Sequence, residues 1–150
     1  MTMTNEPLIL RCTACSALNR VPADKLAARP HCGQCKAILT YPNAPITATL
    51  ATFDREISSW PGFVLVEFWA TWCGFCQMIE PVVNDMARWK AGRLKVLKIE
   101  VDKEQALSNR FTVRATPTFL FYRNGQEIGR MDGAPKEKIE FVQWVDRMMA

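Results

Sequence analysis

Phe63-Val64-Leu65-Val66-Glu67-Phe68-Trp69-Ala70-Thr71-Trp72-Cys73-Gly74-Phe75-Cys76 is the stretch on which the reading of this 150-residue chain turns. Its first eight residues form a near-continuous apolar run, the composition of a central strand covered on both faces. From Gly74 to about Lys90, Met78, Val82, Met86 and Trp89 recur on one face of a helix, and Gly92 lies just past its end. Pro81 falls inside that helix, where it lacks an amide donor and crowds the preceding turn, so a kink is expected. A strand running straight into a helix sets Cys73 at the first turn, where unpaired amides and the positive end of the dipole favour a thiolate. Only the thiolate attacks a disulfide. Cys76, one turn on, is placed to strike the mixed disulfide that results. The bland alternative makes the two thiols core residues or half of a metal site. With no fourth Cys-x-x-Cys knuckle nearby and Trp72 preceding, redox chemistry is favoured.

Working outward, Phe53, Ile57 and Trp60 recur at helical spacing behind Thr52 as an N-cap. Leu94 to Val101 reads as a second strand and Glu104 to Phe111 as a short helix. Thr118–Tyr122 and Gln126–Met131 flank Asn124-Gly125, a strong hairpin signal. Pro135 would occupy the first turn of a last helix, with Ile139, Val142, Val145 and Met149 on its buried side. The order, an opening helix and then β-α-β-α-β-β-α, predicts an α/β fold with a mixed central sheet between helical layers.

The other four cysteines lie in Cys12-x2-Cys15-x16-Cys32-x2-Cys35, close to the four-thiolate zinc pattern. Each Cys-x-x-Cys turn aims two sulfurs at one point, and Gly33 suits a tight second knuckle. The segment from Arg11 to Thr40 has few large apolar residues, chiefly Leu18, Val21, Leu26, Ile38 and Leu39. That is too little core for thirty residues to fold alone, and one structural zinc would supply the staple. Regulatory disulfides are the alternative. His31 is read as a solvated loop residue, because four thiolates already complete the site. Tyr41-Pro42-Asn43-Ala44-Pro45 separates two compositions and reads as a linker. The expected division is 1–41 for the zinc-binding segment, 42–48 for the linker and 49–150 for the main domain.

The net charge of +4 sits mostly in the cysteine-rich part, since residues 1–45 carry five Lys/Arg against Glu6 and Asp24. Four zinc-bound thiolates would cancel much of it, so a nucleic-acid footprint is not supported. Met1 to Leu10 shows no basic n-region and no long apolar stretch, so no signal peptide is expected. Phe63–Ala70 is too short to cross a bilayer. The expectation is a cytoplasmic chain without membrane partners, in a compartment where paired cysteines more often serve metal binding or redox catalysis.

Phe68-Trp69-Ala70-Thr71-Trp72-Cys73-Gly74-Phe75-Cys76 resembles the active-site region of thioredoxins. Pro81 in the helix, Ala115-Thr116-Pro117-Thr118 before a strand, and Asn124-Gly125 followed by Gly133 resemble the same family, in the same order over about residues 50–150. The cysteine clamp is similar to the zinc-binding extension of the thioredoxin-2 subgroup. The resemblance implies a three-layer thioredoxin fold preceded by a small zinc-ribbon-like segment, with residues 49–150 the thioredoxin domain. It implies Cys73 as exposed nucleophile, Cys76 as buried resolving thiol and Pro117 as a cis-proline facing the pair. Trp72, Thr116 and Gly133 would line a docking groove, together with Gly74 and Phe75 beside the thiols. Implied partners are disulfide-containing proteins and an NADPH-dependent thioredoxin reductase in an electron-transport chain. No bound organic cofactor is implied.

Glu67 is the one charge in its apolar run, and an unpaired buried carboxylate is expensive, so it is expected protonated, solvated or paired. A raised pKa would suit a base that takes the proton from Cys76, with Lys98 between Leu97 and Ile99 as partner. The alternative is that both reach water near a strand end. Thioredoxins usually have Asp at the position of Glu67 and Pro at that of Phe75. Phe75 restores an N–H beside the Cys73 thiolate, which stabilises the reduced form and predicts a less reducing couple. It also enlarges the apolar docking surface. The leading reading is a thiol–disulfide oxidoreductase that reduces protein disulfides. An isomerase or oxidant is the alternative within that class, and a zinc-ribbon binding module on a thioredoxin-like scaffold is the alternative outside it.

Overall fold

Successive side chains of a strand alternate between faces, and the central strand here divides the protein accordingly. In the computed structural model, which describes residues 7–150, β1 (Leu8–Arg11) and β2 (Leu18–Val21) form an antiparallel pair. A five-stranded mixed sheet follows, built from β3 (Ile46–Thr47), β4 (Phe63–Trp69), β5 (Leu94–Glu100), β6 (Thr118–Arg123) and β7 (Gln126–Asp132). Its order is β3-β5-β4-β6-β7, with β4 parallel to β5 and antiparallel to β6. The helices are α1 (Phe53–Ser58), α2 (Gly74–Trp89), α3 (Gln105–Arg110) and α4 (Lys138–Met148). Met1 to Glu6, part of the stretch read for a leader, lie outside the described residues, as does the side chain of Leu26.

Val64, Val66 and Phe68 of β4 join Phe53 and Ile57 of α1 and Leu107 of α3 in one core. Phe63 and Leu65 join Ile79, Val83 and Met86 of α2 and Phe141 and Val145 of α4 in the other. The first core also takes in Leu8, Leu10, Val21 and Leu39 of the cysteine-rich segment. That segment therefore borrows its apolar burial from the face of the sheet that α1 covers.

The expected elements are present, with local corrections. The segment expected as a linker carries the short strand β3, parallel to β5. Thr52 stands before α1, but its hydroxyl accepts from the Thr49 amide at 2.9 Å and caps nothing in the helix. Trp60 lies beyond α1, although it is buried. On α2 the buried stripe runs through Cys76, Ile79, Val83 and Ala87, so Trp89 is rotated off it and exposed. Pro135 precedes α4 rather than opening it, and Ile139 is exposed; Phe141 and Trp144 fill the buried face instead. Asn124 and Gly125 both take positive φ (49° and 81°), the turn that matches the twist of a two-residue hairpin.

Candidate active site and metal clamp

The β4–α2 junction places both redox thiols in one helical turn. Cys73 is the N-cap of α2, and its sulfur accepts the Cys76 amide at 3.1 Å, so an orphan helix donor points at it. Burial pushes the Cys73 thiol up. Hydrogen bonds from the Cys76 side chain first, and from the Cys76 and Phe75 amides, outweigh that, bringing it below the ordinary 9.0. Cys76 goes the other way: burial first, then the neighbouring Cys73 sulfur, pushes its thiol up to about 12. One thiol leans toward thiolate and the other holds its proton.

The loop before β6 faces the pair. The Cys73 thiol donates to the Thr116 carbonyl at 3.3 Å, and the Thr116–Pro117 bond is cis. Gly133, at φ 88°, donates its amide to the Pro117 carbonyl at 2.7 Å, which ties the two loops together. Trp72 and Phe75 are 69% and 64% exposed beside the thiols, while Gly74 has open space where a Cβ would stand. Trp72 is oriented by its indole N–H, which donates to Asp102 Oδ2 at 2.8 Å.

Glu67 projects from β4 toward the α2 side of the sheet and is 1% exposed, its Oε1 without a hydrogen-bond partner. Burial pushes its carboxyl up to about 7, with Lys98 opposing and Glu80 reinforcing the rise. Its charge in turn reaches Cys76, pushing that thiol further up. Lys98 is its neighbour across β4 and β5, but the ammonium pairs with Glu80 Oε1 at 3.7 Å and lies 4.6 Å from the Trp69 ring centre. Among the described residues Glu67 has no ion-pair partner, so Lys98 acts on it through space rather than by contact.

The four clamp sulfurs all lie within 4.8 Å of one another, with Cys12 Sγ 3.5 Å from Cys35 Sγ and Cys15 Sγ 3.6 Å from Cys32 Sγ. Sulfurs held at about 2.3 Å around one tetrahedral zinc stand about 3.8 Å apart, so the donor set fits that ion. The Ala14 and Gln34 amides donate to Cys12 and Cys32, each at 3.4 Å. Hydrogen bonds from the Cys35 amide and then the Asn19 side chain bring the Cys32 thiol down to about 6. Gly33 is not the residue that tightens the second knuckle. The left-handed positions are Ser16 and Lys36, each just after a second cysteine, and Gly33 instead donates to Asn19 Oδ1 at 2.9 Å. His31 is exposed, bridges to Ile38 in the backbone and lies outside the sulfur group.

Sequence reasoning passed over Glu80, Asp102 and a buried charge cluster. In that cluster Glu56 of α1 accepts from Arg11 at 3.1 Å and from Lys95 of β5 at 2.8 Å. Lys95 had the same signal as Lys98, a lone cation in an apolar strand, but its face of the sheet was not legible until β5 had a register.

The sequence model described as thioredoxin matches residues 44–147, and that described as "Thioredoxin 2, N-terminal" matches residues 11–37. Thioredoxin C-3 of Corynebacterium nephridii is 36% identical over 142 residues, covering 95% of this chain and 96% of that protein. A thioredoxin of Staphylococcus aureus is 37% identical over 97 residues, 64% of this chain and 91% of its own. Among solved structures, a mutant thioredoxin from Halobacterium salinarum NRC-1 superposes with a TM-score of 0.64 at 29% identity, covering 73% of this chain and 95% of that one.

Proposed function

The chain belongs to the thioredoxin family and is a thiol–disulfide oxidoreductase acting through Cys73 and Cys76, and on that premise we propose how its residues divide the work. The Cys73 thiolate attacks one sulfur of a substrate disulfide, forming a mixed disulfide and releasing the other sulfur as thiolate. Cys76 then gives its proton to the Glu67 carboxylate and attacks Cys73 Sγ. The second substrate thiolate leaves, and a Cys73–Cys76 disulfide holds the two-electron oxidation. Lys98, held by Glu80, keeps enough of Glu67 ionised near neutral pH to accept that proton. Trp72, Gly74, Phe75, Thr116, Pro117 and Gly133 would form the surface on which an extended substrate lies.

The opposed shifts of the two thiols carry this reading. Cys12, Cys15, Cys32 and Cys35 would hold one zinc, whose chemistry there is structural: it closes a segment that has little core of its own. On this reading residues 1–41 are the clamp, 42–48 the join and 49–150 the redox domain. The oxidised form would be recharged by an NADPH-dependent thioredoxin reductase, without a bound organic cofactor. A cytoplasmic setting suits free thiols, and no described helix is long and apolar enough to cross a membrane.

Phe75 favours a second reading within the class, an isomerase or oxidant, because its amide supports the Cys73 thiolate and so the reduced form. Turnover of insulin disulfides with NADPH and thioredoxin reductase separates the two. Efficient coupling is expected; failure to couple, with ready oxidation of dithiols, would replace the reductant with the oxidant.

A further inference from the structure

Between the clamp segment and the sheet lies a cavity of about 310 Å³. Cys73, Cys76, Glu67 and Thr116 take no part in its lining, so the thiol chemistry leaves it unused. Its volume is at the small end of the range for small-molecule sites, and its make-up is the usual one, apolar walls with a few convergent polar groups. Leu18 and Tyr41 supply apolar wall, and Arg11, Arg55, Glu56 and Lys95 supply the charge. We propose that this cavity binds a small organic anion, a carboxylate carried on an apolar or aromatic body.

Lys95 is 1% exposed. A buried ion pair is commonly no more stable than apolar side chains of the same volume, so packing alone does not call for a lysine here. Its ammonium has three donors; among the described residues Glu56 Oε2, at 2.8 Å, is its one hydrogen-bond acceptor, and the Trp60 ring centre lies 5.5 Å away. Glu56 spends its other oxygen on Arg11, at 3.1 Å. Three cations thus face one carboxylate around the cavity, with the clamp residue Cys12 also in its lining, so cationic side chains outnumber the Glu56 carboxylate that an occupant would meet. Burial lowers the Lys95 pKa first, Glu56 opposes, and Arg11 lowers it again. An incoming carboxylate would add the missing acceptors. The apolar wall selects against inorganic anions, which gain nothing from Leu18 or the Tyr41 ring. Arg11 and Leu18 come from the clamp segment, Lys95 and Glu56 from the redox domain, so the occupant would touch both.

The test titrates 1-naphthoate into the full chain and follows backbone amide signals. Saturable shifts at Leu18, Tyr41 and Arg55 are expected. The neutral 1-naphthalenemethanol and inorganic phosphate should each bind at least tenfold more weakly. Ser59→Phe, which fills the cavity from its lining, should abolish the shifts, and Lys95→Met should weaken binding at least tenfold. Because Lys95 is buried, Arg55→Ala at an exposed position serves as the second charge variant, with a loss of about threefold. The absence of saturable shifts, equal affinity for the alcohol, or unchanged affinity in Ser59→Phe would each overturn the proposal.

Discussion

The clamp and the redox pair use the same Cys-x-x-Cys spacing and reach opposite ends. In the clamp, each second cysteine is followed by a left-handed residue, Ser16 or Lys36, so the chain folds back and two loops bring four sulfurs together. In the redox pair, the first cysteine is followed by sixteen residues of helix, so its sulfur caps that helix while the second, inside the first turn, keeps its proton. Both are buried, at 4% and 5% exposure, so Cys73 is not the exposed sulfur that the resemblance implied. Convergence brings four sulfurs to one point; asymmetry gives two thiols with opposed shifts. Spacing sets how far apart two sulfurs can be, and the backbone that follows sets what they do.

The hardest way to break this contrast is to exchange one atom in each site. Cys73→Ser should lower insulin disulfide turnover at least ~10³-fold, since a neutral hydroxyl replaces the attacking thiolate. Cys35→Ser, in the clamp, should leave turnover within about threefold if the zinc is structural. Comparable losses in both variants would end the separation of roles. Stripping the metal with a chelator comes next. Amide exchange across Leu10–Leu39 should rise by at least ~10²-fold, measured by mass spectrometry. The α1 side of the sheet should loosen more than the α2 side, because the clamp's apolar residues share a core with Phe53 and Ile57. Equal loosening on both faces would show that the clamp acts on the fold as a whole.

How much of this was legible in the chain follows the same division. The redox pair announced itself because a local pattern, apolar strand into helix, carries its chemistry. The convergence of Cys12, Cys15, Cys32 and Cys35 was expected from their paired spacing in a segment with little core, and the four sulfurs do lie within 4.8 Å of one another. What escaped were partnerships across elements. Lys98 sits where the sequence placed it, but Glu80, one helix away, takes its ammonium. Lys95 and Glu56 are 39 positions apart and meet only because β5 and α1 share a face. Local periodicity misled at two positions: Trp89 and Ile139 fit a helical stripe by count, yet each falls on the solvent side of its helix. Larger residues nearby, Phe141 and Trp144 on α4, claim the buried face.

Glu67 sharpens the contrast by separating stability from activity. Its carboxyl is raised from 4.5 to about 7 by burial first, with Lys98 on β5 opposing and Glu80 on α2 reinforcing; Phe119, opposite on β6, adds no charge. A carboxyl with its folded pKa above its unfolded one binds more protons when folded, so stability falls as pH rises from about 4.5 to 7 and levels off above. Glu67→Gln should therefore stabilise the protein at pH 8 by about 3 kcal/mol, with little effect near pH 4, by urea denaturation. The same variant should trap mixed disulfide by slowing the Cys76 step. A gain in stability with unchanged resolution would leave Glu67 a buried charge without a part in proton transfer.

The smallest effect concerns Phe75. Its amide is among the donors that hold the Cys73 thiol down, and its ring is mostly exposed, so Phe75→Pro removes the donor at little cost to the core. A hydrogen bond to a charged group contributes about 1.5–3 kcal/mol. For a two-electron couple 1.4 kcal/mol is about 30 mV, so the Cys73–Cys76 potential should fall by about 30–60 mV in the proline variant. The sign follows from the state the donor supports: the thiolate exists only in the reduced form, and removing its donor makes that form harder to hold. Phe75→Ala keeps the amide and deletes the ring, so it should leave the potential in place while weakening the docking of protein substrates. If proline leaves the potential unchanged or raises it, the Cys76 amide alone sets the thiolate. The residue between the cysteines would then matter to the docking surface and not to the couple.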